Sequence, residues 1–360
     1  MKRFIDCYLP TENCNLKCHY CYLSQWDDFK HNTVRIEKDP KFIRQALSCK
    51  RLGGICMINI CAGGETLLFR EVIDVVRELL EEGHYVMVVT NGTLTERFKE
   101  FVDFPKEFLS RLFFKFSFHF LEFKRLNLMD TFFNNVKLMN DIGASYTVEI
   151  TPNDELIPYI EEIKQISYEK MGTLPHITIA RKDKEDIPML TKLSREEFIK
   201  TWSVFESELF DFKIKIFGEK RKEFCYSGDW SCIVNLVTGE VRQCYRGVTI
   251  QNIYKNIEEP FKPFAIGNCC NDPHCFNGHA WLTFGSIPEL VTPTYFELRN
   301  RKPKNGREWV VGKMRDFMQT KLSDENEEYT SGKKKIINGK NHLINTVSNV
   351  KRSIKGIIKK

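Results

Sequence analysis

The run Phe4-Ile5-Asp6-Cys7-Tyr8-Leu9 passes through Pro10-Thr11-Glu12-Asn13 into Cys14-Asn15-Leu16-Lys17-Cys18-His19-Tyr20-Cys21. A short apolar and aromatic stretch that stops at a proline reads as a strand. The loop it feeds carries cysteines in the order C-x3-C-x2-C. With thirteen Cys in 360 residues, that spacing arises by chance roughly 0.02 times per chain, from the cube of the cysteine frequency. Three thiolates on one loop can hold three irons of a [4Fe–4S] cluster and leave the fourth iron without a protein ligand. An open coordination position marks a catalytic rather than a structural metal site. The alternative is a zinc ion with His19 as its fourth ligand.

Outward from this loop the chain alternates strand and helix signals. Strands are expected over residues 4–9, 54–61, 85–90, 113–120, 145–150 and 176–181, and helices fall between them, for example over 68–83 and 156–171. Such alternation argues for an α/β fold with a parallel sheet and crossover helices. In the fourth strand Phe114, Phe116, Phe118 and Phe120 share one face, and Lys115, Ser117 and His119 share the other. In the fifth, Thr147 and Glu149 oppose Tyr146, Val148 and Ile150; in the sixth, His176 and Thr178 oppose Ile177 and Ile179. A polar face repeated over several strands suits a lumen that holds a cofactor and a substrate. Catalytic groups in such barrels gather at the C-terminal ends of strands. The three cysteines, Gly63-Gly64-Glu65 and Asn91 all follow strands directly. A single buried polar residue is more often a satisfied core group. Asp6, Tyr8, Asn59, His176 and Thr178 therefore carry no individual assignment.

Composition bounds the rest. Hydrophobic residues make up 42% of the chain and charged residues 28%, ordinary for a globular protein long enough to bury a core without covalent staples. Collagen-like, low-complexity and wholly disordered classes are excluded. Residues 1–11 contain no apolar signal core, and no apolar stretch approaches the roughly 20 residues that span a bilayer. A cytoplasmic, reduced setting is expected, where clustered Cys bind metal or do chemistry. Residues 331–360 hold nine basic side chains and no acidic ones, so the net +6 of the chain becomes −3 over residues 1–330. The tail is a basic appendage on a mildly acidic body.

At the residues quoted so far the sequence resembles the radical S-adenosylmethionine (radical SAM) superfamily. The family's C-x3-C-x-aromatic-C loop is matched in full, with Tyr20 as the aromatic. Gly63-Gly64-Glu65 stands where the family has its GGE motif, and Ser117 and His119 lie on a later strand, where the family often contacts the SAM ribose. The resemblance implies a partial (β/α)6 TIM-like barrel over residues 1–210. It implies that Cys14, Cys18 and Cys21 hold the [4Fe–4S] cluster and that SAM occupies the open iron. Gly63, Gly64 and Glu65 would hold the methionine amino group, Tyr20 would lie near the adenine, and Ser117 and His119 near the ribose. Asn91 and Glu149 join them as cofactor-binding candidates.

A second cysteine group extends the resemblance. Cys225, thirteen residues, Gly239, four residues and Cys244 fit the opening of the auxiliary-cluster region in the SPASM and twitch subfamilies. Thr238-Gly239-Glu240 reads as a hairpin turn between strands over 232–237 and 241–245. Cys270 and Cys275 would complete four ligands to one auxiliary [4Fe–4S] cluster in a small cysteine-rich domain over 211–290. The later C-x2-C-x5-C-x3-C run of the full SPASM pattern is absent. Cys269 competes with Cys270, Cys232 is unassigned, and a four-thiolate zinc ribbon is the alternative. Cys7, Cys49, Cys56 and Cys61 are scattered through a region that reads as core.

The implied function is reductive cleavage of SAM to a 5′-deoxyadenosyl radical that abstracts a substrate hydrogen, with flavodoxin or ferredoxin as electron donor. A small metabolite such as a sugar or aminocyclitol is the expected substrate. A peptide-modifying enzyme, a non-catalytic Fe–S electron carrier and a zinc-stabilised interaction module are the other readings. No nucleic-acid partner is expected. Within the C-terminal extension, 291–360, residues 323–340 read as a linker. Leu343, Ile344, Val347, Val350, Ile354, Ile357 and Ile358 then lay an apolar stripe on a basic helix, suited to peripheral membrane or protein contact or to packing on its own domain.

Overall fold

Strand and helix alternate through the first half of the chain because apolar side chains recur first at period two and then at period 3.6. The computed structural model describes residues 1–25, 34–184, 186–275, 277–304 and 306–358. Its strands β1 (Phe4–Leu9), β2 (Met57–Ala62), β3 (Tyr85–Thr90), β4 (Leu112–Ser117), β5 (Ser145–Ile150) and β6 (His176–Ile177) pair in sequence order, all parallel. Helices cover the outer face. In the helix Glu71–Glu81, Val72, Ile73, Val75, Val76, Leu79 and Leu80 are buried, and Glu71 and Asp74 occupy the first turn, where acidic groups complement the helix dipole. Phe114 and Phe116 of β4 pack beneath the helices against Phe98, Phe101 and Phe132. Lys115 and Ser117 face the other way, into the lumen.

The sheet does not end at β1. Strand β7 (Ser231–Asn235) pairs parallel with the free side of β1, and β8 (Glu240–Arg242) and β9 (Thr249–Asn252) follow antiparallel. One nine-stranded sheet results, in the order β6-β5-β4-β3-β2-β1-β7-β8-β9. The boundary expected at residue 210 therefore falls inside a single sheet, because an unpaired edge at β1 needs a partner and the cysteine-rich segment supplies it.

Several expected bounds shift. Strand β4 stops at Ser117, so His119 lies beyond the strand, at the N-cap of the helix Phe120–Leu126. Strand β2 starts at Met57 because left-handed Gly53 closes the preceding helix Cys49–Leu52. Residues 178–181 leave the β6 ladder. The helix expected over 156–171 is a 3-10 turn, Asp154–Tyr159, followed by Ile160–Met171; Pro158 has no N–H for an α-helical bond. Strand β7 ends early because Asn235 Oδ1 takes the N–H groups of Val237 and Thr238.

The extension departs from expectation in its linker. Residues 295–318 close the barrel's base: Tyr146 N–H donates to Trp309 O at 2.9 Å, and Phe317 stacks on Tyr85 with centroids 3.7 Å apart. The expected linker is instead the start of a helix, Ser331–Ile358. Tertiary contact overrides its weak propensity: Asn341 Nδ2 donates to Ala265 O at 2.8 Å, and Asn338 exchanges two bonds with Asn268. Leu343, the first residue of the apolar stripe, is 66% exposed. The side chains of Val347, Val350, Ile354, Ile357 and Ile358 lie outside the described residues. No helix among the described residues is long and apolar enough to cross a membrane.

Candidate active site

Cys14, Cys18 and Cys21 line one cavity of about 380 Å³ at the C-terminal ends of the strands. Gly63, Gly64, Glu65, Asn91, Ser117, His119, Glu149 and Tyr20 line it too, so the first cysteine group and every cofactor-binding candidate converge. A cavity reached from the loop after β1 and from residue 178 beyond β6 requires the sheet to curl around it.

Backbone contact builds the cysteine end. Glu65 N–H donates to Asn13 O at 2.8 Å and Gly63 N–H to Leu9 O at 3.0 Å. A Cβ at Gly63 would collide with Thr11 O, and one at Gly64 with Asn13 O. The glycine pair is thus demanded by close approach of two backbones, whatever else it binds. Tyr22 donates its hydroxyl to Gly63 O, tying the far side of the loop to the same turn.

Glu65 is buried, and its carboxylate accepts from Leu67 N at 2.9 Å, Thr90 Oγ1 at 2.7 Å and Asn91 N at 2.7 Å. Burial raises its pKa and those three donors oppose the rise. Asn91 in turn donates to Asn15 Oδ1 at 2.8 Å and approaches Cys14 Sγ at 4.0 Å. Tyr20 Oη lies 2.5 Å from His119 Nδ1. Burial pulls His119 down to about 4, so the neutral ring shares this hydrogen bond with the phenol. His19 points elsewhere, toward Glu155 at 3.5 Å, and is no fourth ligand for zinc.

The opposite wall is cationic. Lys115 stands 3.4 Å from Glu149, which also pairs with the fully buried Arg299 of the helix Tyr295–Arg299. Glu149 therefore serves as counter-ion to two cations. Burial, with the Arg299 guanidinium nearby, pulls the Lys115 ammonium down to about 7. Lys213 reaches in from the helix Glu208–Ile216, and Arg181, Thr178 and His279 complete the wall. Asp6 is held by Asn59 at 2.6 Å, Cys61 at 3.2 Å and the Tyr245 hydroxyl. His176 meets Ser207 at 3.2 Å. Asp6 is thus a satisfied core group, whereas His176 is bonded at Nδ1 only and its buried Nε2 has no partner among the described residues.

Cys225, Cys244, Cys270 and Cys275 line a second, smaller cavity, and Asn277 lines both cavities. Cys269 faces away, its Sγ 3.6 Å from Asn338 O. Cys232 is buried on β7.

Residues 8–115 match the radical SAM superfamily. This segment is a radical SAM domain. Over 86 residues the chain is 30% identical to GTP 3',8-cyclase of Clostridium perfringens, covering 23% of this chain and 26% of that one. The chain thus spans about a quarter of the length of the curated relatives it matches. Among solved structures, Streptococcus suis SuiB bound to S-adenosylmethionine aligns at TM-score 0.48 and 13% identity over 71% of this chain and 64% of that one. Native anSMEcpe with bound AdoMet aligns at TM-score 0.48 and 15% identity, over 70% and 78%.

Radical SAM domains bind a [4Fe–4S] cluster and SAM, and the residues present fit such a group. Among the described residues no three Cys, His, Asp or Glu side chains converge as ligands of a single metal ion would. The thiols instead surround cavities, as a cluster requires when each thiolate binds a different iron. Burial pushes the Cys14 thiol up to about 12 and raises Cys18 and Cys21; a coordinating cation reverses this by deprotonating the thiol outright.

Sequence reasoning missed Arg181, Lys213, His279 and Arg299 as site residues. Lys213 had a readable signal: it shares a helix face with Leu209, Phe212 and Ile216, where a lysine on an apolar stripe is out of place. Arg299 had none, since nothing local ties it to Glu149.

Proposed function

We propose that this chain is a radical SAM enzyme acting on a small polar metabolite. The observation that carries the reading is the convergence of Cys14, Cys18, Cys21 and the Gly63-Gly64-Glu65 turn on one polar cavity. Cys14, Cys18 and Cys21 would hold three irons and leave the fourth for SAM. When bound, the reduced cluster supplies the electron that cleaves SAM to methionine and a 5′-deoxyadenosyl radical, which takes a hydrogen atom from the substrate. The protein's part is to position the cofactor and exclude competing reactions. The turn at residues 63–65 presents backbone groups to the methionine amino group, Tyr20 and His119 orient one another beside the nucleoside, and Ser117 offers a hydroxyl to the ribose.

Cys225, Cys244, Cys270 and Cys275 would hold an auxiliary [4Fe–4S] cluster of the twitch type, with flavodoxin or ferredoxin as the reductant. A cavity of about 380 Å³ is at the low end for ligand sites and must take SAM and substrate together, which favours a small substrate over a peptide.

Anaerobic reconstitution tests the reading. About eight irons per chain are expected for two such clusters, with 5′-deoxyadenosine formed on reduction in the presence of SAM. Alanine at Cys14, Cys18 and Cys21 together should remove about half the iron and all SAM cleavage. A colourless protein with stoichiometric zinc would overturn the proposal, and iron without SAM cleavage would make the chain an electron carrier.

A further inference from the structure

Among the described residues, the neighbours of the buried Lys213 on the cavity wall are neutral or of its own sign. Its ammonium donates to Thr178 Oγ1, a neutral partner, and among the described residues no carboxylate forms an ion pair with it. The charges that act on it are Arg181 and Lys115, both cationic. Lys115 is answered by Glu149, which Arg299 also claims; Arg181 has Asp183 nearby; Glu65 is taken up by Leu67, Thr90 and Asn91. Lys213 keeps only 7% of its surface, and a desolvated charge without a counter-ion is costly. Beside it on the same wall is a second unfilled group: His279 is half-buried, but its Nδ1 is buried and has no hydrogen-bond partner.

Resting on the reading of this cavity as the SAM and substrate site, we propose that Lys213, with Arg181, Lys115 and His279, forms a subsite for an oxyanion of the substrate, either a carboxylate or a phosphate. The substrate is then an acidic small molecule whose charge is met by Lys213 and whose remaining acceptor or donor faces His279 Nδ1. Asn277, which lines both cavities, places that anchored end beside the second cysteine group.

Equilibrium dialysis of the anaerobically reconstituted protein against inorganic phosphate or acetate, with and without SAM, tests this. One ion per chain is expected, retained when SAM is added. Lys213→Met should weaken its binding about tenfold or more, the range of a lost charged hydrogen bond, and Lys213→Arg should restore most of it. Tighter phosphate than acetate points to a phosphate ester, and the reverse to a carboxylate. The proposal is overturned if neither ion binds, if Lys213→Met binds as well as the parent, or if SAM displaces the ion while Lys213→Met loses SAM affinity, which would hand the lysine to the methionine carboxylate. Failure of the underlying reading appears separately, as absent iron and absent SAM cleavage, and the same dialysis on metal-free protein still reports the ion site.

Discussion

The carboxylate of Glu65 accepts the backbone N–H of Asn91 at 2.7 Å, which binds the turn after β2 to the turn after β3. With Thr90 and Leu67 on its other oxygen, Glu65 is a keystone of the cavity rim before any ligand enters.

Glu65→Gln should therefore lower thermal stability as well as SAM affinity. The amide would turn its NH2 toward one of these donors and leave a buried N–H unsatisfied, costing about 1–3 kcal/mol. Thermal denaturation of the metal-free protein measures the first effect and SAM titration of the reconstituted protein the second. An unchanged Tm would show that the Asn91 contact contributes nothing.

Cys270→Ala should lose the auxiliary iron, and Cys269→Ala should keep it. Cys270 shares a cavity with Cys225, Cys244 and Cys275, whereas Cys269 Sγ faces Asn338 O. Iron analysis of the two variants separates the outcomes, and equal loss in both would mean the pair is interchangeable.

His119 makes a pH prediction. Burial holds its folded pKa at about 4, below the 6.5 of an exposed imidazole. The neutral ring is thus favoured by folding. Its contribution is fully present above pH 6.5 and is lost as pH falls through 4. His119→Asn keeps an acceptor for Tyr20 but does not titrate. The Tm advantage of the parent over this variant should shrink steadily between pH 6.5 and 4, and a constant difference would show that His119 does not ionise with folding.

Asn341→Leu should destabilise the chain by about 1–3 kcal/mol, because a buried carbonyl loses its donor. Asn341 serves Ala265 O at 2.8 Å and Gln243 at 3.3 Å. Denaturant unfolding checks this; a loss near zero would mean the helix Ser331–Ile358 is held elsewhere.

Local pattern carried most of the fold. Strands β1, β3 and β5 follow from their short runs of apolar, aromatic and β-branched residues, and the lumen face of β4 is readable from Lys115 and Ser117 set against Phe114 and Phe116. The strand expected over 176–181 is shorter because Thr178 N–H makes a last bond to Ile150 O, after which Ala180 and Arg181 pair with residues 189 and 190 instead. The pairing of β7 with β1 was not legible: it joins residues more than two hundred positions apart, and no local signal names a partner strand. For the same reason Arg299 and Lys213 were invisible as neighbours of Glu149 and Thr178. The start of the last helix was misjudged because Gly332 and Gly339 suggest a linker, and the asparagine contacts that hold it are tertiary.

Sharing one sheet has a consequence for how the two cysteine groups can be separated. Strand β1 is hydrogen-bonded on one side to β2 and on the other to β7. A chain cut at residue 210 would strip that second side and leave Phe4, Ile5, Cys7 and Leu9 on an open, flat, apolar strand, the kind of edge that recruits other chains. Such a half should be recovered as aggregate rather than as a soluble core, and the two cysteine groups must be inherited, expressed and purified together.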